Sequence, residues 1–242
     1  MNIHILKNTL IIGITIWIIF NNSITTNPLS FKCDNYLLNT YLYLILAIGI
    51  TLATVDTMAY NKIILNRWTR IIIAIFMLIL IVIIGNTPAK NFLMKHLLFT
   101  IFIVLIGSIL YPLFIHNEEL FNQTGITTLI LLIILSLVAI YYPQFISNSW
   151  GSYLMIALGG LIIARCVEIG FIWYNKIQPK NNYGRAISYI SILVFIMFVL
   201  YDTKKVQEHA KLCIEADYIN ESLNLFLDAI NLFSNIYYVR NF

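Results

Sequence analysis

The sequence predicts an all-α integral membrane protein, and three observations carry that prediction. Only 11% of the 242 residues are charged, where soluble domains carry about 25%. Mean hydropathy is +0.84. The apolar runs are long and continuous rather than alternating, which favours spanning helices over a spanning β-barrel. At roughly 20 residues per span, the chain accommodates one domain of seven or eight helices. The net charge of +4 is small and spread over loops, so no nucleic-acid partner is expected. Cys33, Cys166 and Cys213 lack metal-ligand spacing and allow at most one disulfide.

The first apolar run, Ile3–Phe20, is interrupted by Lys7, and its unbroken part from Thr9 onward is short for a span. It resembles a signal-peptide core but lacks a clean small-x-small cleavage site, which puts a signal anchor ahead of a cleaved signal. Asn21, Asn22, Ser23 and Pro28 mark a polar loop behind it. Residues 1–35 are therefore expected to form an N-terminal hydrophobic segment and loop, and residues 36–242 a transmembrane domain. Seven further runs follow, at Tyr36–Val55, Trp68–Ile84, Phe92–Ile115, Gly125–Tyr142, Ser152–Tyr174, Ala186–Tyr201 and Ile219–Val239. The loops between them are short and leave no room for a soluble domain. Their basic residues divide almost evenly between the two faces, so the positive-inside rule sets no orientation. Gly159-Gly160 is expected to permit close helix packing.

The last run differs from the others. Asn220, Asn224, Asp228, Asn231 and Asn235 recur at spacings of three and four residues, so they stack along one helix face. The other faces carry Leu223, Leu225, Phe226, Leu227, Ile230, Leu232 and Phe233. No lysine or arginine lies within a turn or two of Asp228 to neutralise it. Ionisable groups inside membrane helices are costly and point to function.

Other candidates are weighed against Asp228 on the same grounds. Asp56 closes the second run and is expected to reach the interface. Arg165 and Glu168, three residues apart, are expected to pair on one helix face, with Glu168 a secondary pore carboxylate in the sharper alternative. Asp202 ends the seventh run in Val-Leu-Tyr-Asp-Thr, beside Lys204 and Lys205, so a solvated helix end is its bland alternative. If Asp202 meets Asp228, the two carboxyls share protons, titrate as a unit and, when deprotonated, form an oxygen-rich cation site. There is no His-Glu-x-x-His helix and no Gly-rich phosphate loop. No enzyme activity is expected, and no cofactor apart from calcium as a permeant ion.

Leu200-Tyr201-Asp202-Thr203, the charged loop, Asp217-Tyr218-Ile219 and Leu225 to Phe233 closely resemble the C-terminal signature of the transmembrane Bax inhibitor motif family. Trp150 to Leu154 with Gly159 and Leu161 resembles its antepenultimate helix, and Phe99 to Pro112 its third helix. The resemblance covers roughly Tyr36 to the C-terminus. It implies a seven-helix bundle with the polar-striped last helix at its centre, here preceded by one extra hydrophobic segment. It also implies that Asp202 and Asp228 link protonation to a calcium leak path, binding calcium transiently, with Asn220, Asn224 and Asn231 as a supporting polar stripe. Bacterial members place arginines after the second family helix to latch the aspartates. The corresponding stretch here, Gly85 to His96, offers Lys90, Lys95 and His96 instead.

The function implied is a passive, pH-sensitive calcium leak that lowers store calcium and opposes apoptosis. The membrane would be that of the endoplasmic reticulum or Golgi in a eukaryotic host, or the inner membrane in a bacterium. Two alternatives stand beside it: a regulator that inhibits cell death by binding partner membrane proteins, and a proton-coupled secondary transporter. The lipid bilayer and calcium are partners on the first account, and apoptosis-regulating membrane proteins on the second.

Overall fold

The computed structural model describes residues 3–26, 29–175 and 182–241, so the Pro28 loop position lies outside the described residues. The order is α1 (Ile3–Ser23), β1 (Ile24–Thr26), β2 (Leu29–Phe31), α2 (Tyr36–Tyr60), α3 (Arg67–Asn86), α4 (Phe92–His116), α5 (Glu118–Tyr141), α6 (Trp150–Asn175), α7 (Asn182–Lys211) and α8 (Tyr218–Arg240). Among the described residues six helices, α2 to α7, are long and apolar enough to cross a membrane, as expected of a multi-pass membrane protein. The polar-striped α8 is not among those six, yet its residues are buried on most sides.

Helix ends follow local chemistry. Asn35 enters α2 in the left-handed region at φ 51, which asparagine tolerates. At the other end Lys62 adopts φ 51, with Lys62 N–H donating to Ala59 O and Ile63 N–H to Met58 O. That is the paired closing bond of a Schellman motif, made here with lysine where glycine is usual. Asn66 caps α3 by accepting from Thr69 N–H at 2.7 Å.

Three elements differ from expectation. Helix α1 runs on through Asn21, Asn22 and Ser23, which were expected to open the polar loop. The loop after α1 contains an antiparallel hairpin, with Ile24 opposite Phe31, Thr25 opposite Ser30 and Thr26 opposite Leu29. The β-branched run Ile24-Thr25-Thr26 favours extended backbone, and the Thr25 and Ser30 hydroxyls bond at 2.7 Å. Helix α7 continues from Tyr201 to Lys211, which places Asp202 within the helix rather than at a solvated end. The polar extension is held where Lys204 Nζ donates to Ile146 O at 2.6 Å and Asn148 Oδ1 at 2.5 Å.

The chain divides into two compact units, Met1–Glu118 with Val206–Phe226, and Glu119–Lys205 with Leu227–Phe242. In the first, α2 packs against α1 and α4, and α3 packs against α4. A Cβ on Gly107 would lie 2.7 Å from Thr54 Cβ and 2.8 Å from Thr51 O, so only glycine lets α4 approach α2 this closely. Helix α1 is seated on α2, because Asn8 Nδ2 donates to Asp56 Oδ2 at 2.7 Å. Asp56 is thus engaged by a neighbouring helix, beyond the interfacial role expected of it.

In the second unit Leu154, Phe195, Phe198, Val199, Leu232 and Ile236 form a core contributed by α6, α7 and α8. Phe121 of α5 meets Phe233 of α8 edge-on, with ring centroids 4.9 Å apart. Gly151, rather than Gly159-Gly160, is the close-packed position on α6: its Cβ site is filled by the Tyr201 ring. A Cβ on Gly159 or Gly160 would meet nothing within 4 Å among the described residues, which corrects the packing role expected for that pair.

Candidate functional site

Helix α8 starts at a cap the sequence supplies. Asn220 N–H donates to Asp217 Oδ1 at 3.2 Å, satisfying one of the helix's orphan donors. From that start the three-and-four spacing carries Asp228 into the second unit, where it is 5% exposed. Asp202 of α7 lies beside it, close enough for the two carboxyl groups to interact directly. Two carboxyls this close in a low-dielectric site cannot both ionise easily. Asp228 Oδ2 is buried with no hydrogen-bond partner.

The amides beyond Asp228 are turned one way. Asn231 Nδ2 donates to Leu227 O and Asn235 Nδ2 to Asn231 O, both at 2.8 Å. Each amide nitrogen is spent on its own helix, leaving the side-chain carbonyl oxygen to a neighbour. For Asn235 that neighbour is Arg165, whose Nη2 donates to Asn235 Oδ1 at 2.7 Å and to Ser188 Oγ at 2.6 Å. Arg165 Nη1 meets Glu168 Oε2 at 2.7 Å, and its guanidinium lies over the Tyr238 ring, 5.6 Å from the centroid. The expected pair on α6 is therefore made, and Arg165 also fastens α6 to α7 and α8. The i, i+3 spacing gave the pair. Nothing local in the sequence points to Ser188 or Asn235 as its further partners.

The rest of the stripe belongs to the first unit. Asn224 is exposed, and Asn220 Nδ2 donates to Gly85 O at 3.5 Å while its Oδ1 is buried without a partner. The residues in the latch stretch are committed elsewhere. Lys95 Nζ, 0% exposed, donates to Asp217 Oδ2 at 2.5 Å and to Thr87 O at 2.7 Å. His96 bonds Tyr43 Oη and Phe92 O, both at 2.8 Å. Around them Phe31, Tyr36, Tyr43, Phe92 and Tyr218 form a ring cluster. Tyr218 Oη donates to Lys32 O, and His209 Nδ1 meets Glu221 Oε1 at 2.5 Å. A buried lysine one turn into an apolar helix demands an acidic partner, and that was the available signal for Asp217. Among the described residues no cluster of three or more histidine, cysteine or acidic side chains could hold a resident metal.

A family model described as "Inhibitor of apoptosis-promoting Bax1" matches residues 33–240. The growth hormone-inducible transmembrane protein of Rattus norvegicus is 26% identical over 214 residues, which is 82% of this chain and 60% of that relative. The chain therefore spans less than two thirds of the relative's length. Helix α1 and the hairpin precede the family match.

Proposed function

The chain belongs to the Bax inhibitor family, and we propose that it conducts calcium passively along a path gated by Asp202 and Asp228. The observation that carries this proposal is the close approach of the two carboxyls, with one buried oxygen of Asp228 left without a partner. Buried polar atoms without partners are rare and mark strain, water or ion sites. Loss of the shared proton sets two negative charges against each other, and relief comes from separation or from a divalent cation. Protonated, the pair closes the path; deprotonated, it offers carboxylate oxygens of the kind calcium prefers. Efflux accordingly rises with pH.

Asn231 extends the acceptor lining through its side-chain oxygen. In the proposed roles Asn220 and Asn224 support the stripe beyond it, and Arg165 with Glu168 holds the far ends of α7 and α8 rather than conducting. A calcium leak in an endoplasmic reticulum or Golgi membrane would lower the store and account for opposition to apoptosis. The test is calcium efflux from proteoliposomes containing the purified full chain, followed across pH for the wild type and Asp228→Asn. The proposal expects a pH-dependent leak that becomes pH-insensitive in the variant. Folded protein with no flux at any pH would transfer the anti-apoptotic role to binding of partner membrane proteins.

A further inference from the structure

Two cysteines far apart in sequence meet in the first unit: Cys33, just after the hairpin, and Cys213, in the turn between α7 and α8, are bonded across 180 residues. The helix ends on either side of that turn have anchors of their own, in the contact of His209 with Glu221 and the pairing of Lys95 with Asp217. The turn itself is open. Leu212 and Ile214, which flank Cys213, are 77% and 99% exposed, and Cys33 is exposed as well. We propose that Cys33–Cys213 is a reversible thiol–disulfide site, open to soluble dithiols, that ties the α7–α8 turn to the N-terminal hairpin.

The exchange balances without any further oxidant. A dithiol's thiolate attacks the sulfur of Cys33, an exposed residue, and the Cys213 thiolate leaves. The dithiol's second thiol then closes on the mixed disulfide and releases Cys33, so two electrons and two protons pass to the protein. The tie persists in an oxidising compartment and opens when a dithiol reaches it. The inference is independent of calcium conduction. Its ingredients are the pairing, the exposure of the turn and the separate anchoring of the flanking helix ends. Cys166, the remaining cysteine, is free and serves as an internal count.

The test uses the full-length protein in detergent or liposomes, titrated with dithiothreitol. Alkylation with a polyethylene-glycol maleimide after denaturation counts thiols, and hydrogen exchange is read over residues 212–217. The expected count is one thiol before reduction and three after it, with faster exchange at the turn in the reduced protein. Cys33→Ser is expected to show the fast exchange without reductant and no response to it. Three thiols in protein isolated under non-reducing conditions would overturn the inference. So would exchange at the turn that stays unchanged when wild-type protein passes from one thiol to three, a comparison that needs no variant to fold.

Discussion

Replacing Asp217 by asparagine removes a single charge and keeps a residue that caps helices well. The structure sets the cost. Lys95 is 0% exposed and Asp217 24% exposed, so the two halves of this ion pair are not equivalent. Without the carboxylate, the Lys95 ammonium keeps only Thr87 O as partner in a wholly buried position, a loss of about 3–5 kcal/mol. Lys95→Met, by contrast, leaves a carboxylate that water reaches and that still accepts from Asn220 N–H, a loss of about 1–3 kcal/mol. The double variant recovers part of the Asp217→Asn loss, with a coupling of roughly 0.5–3 kcal/mol. Thermal unfolding of purified protein in detergent reads the series, at about 2–4 °C per kcal/mol for a chain of this size. Asp217→Asn showing no larger a loss than Lys95→Met, or strict additivity in the double variant, would refute the assignment of a mutually dependent pair with a buried lysine at the start of α8.

Two further predictions follow from other contacts. Gly107→Ala forces its new methyl group against Thr51 O and Thr54 Cβ, so the thermal midpoint falls by an amount equivalent to about 1–3 kcal/mol, whereas Gly160→Ala, with open space around it, leaves the midpoint unchanged. Arg165→Lys retains a charge beside Glu168 but loses the planar fork that reaches Ser188 and Asn235 together. It destabilises by about 1.5–3 kcal/mol, measured as a fall in the same midpoint.

The helices were legible because long apolar runs in a membrane protein admit little else, and each run from Tyr36 onward coincides with an observed helix, the Gly125–Tyr142 run passing the end of α5 by one residue. Their ends were less so. The stretch after Tyr201 looks like a polar loop, yet α7 continues through it because Lys204 finds Ile146 O and Asn148, partners that no local pattern reveals. The α-helical spacing of Asn220 to Asn235 fixed a common face but not its surroundings, and so could not foresee that Asn224 is exposed while Asp228 is buried. The meeting of Asp202 with Asp228 was inferred from the cost of two membrane carboxyls and from resemblance, since separation along the chain says nothing about contact across helices. The hairpin strands, at three residues each, are too short for alternation to register. The pairing of Cys33 with Cys213 is a tertiary fact of the same kind.

The central claim is that the two carboxyls act as one titrating gate, and pH-resolved calcium efflux from proteoliposomes tests it across wild type, Asp202→Asn, Asp228→Asn and the double variant. The titration steps of coupled groups belong to the pair, and the repulsion that opens the path needs both carboxylates. The account therefore predicts efflux that rises with pH in the wild type, and the same flat profile in both single variants and in the double. A pH-dependent step that survives in either single variant, or a wild-type profile matched by all three, would contradict it.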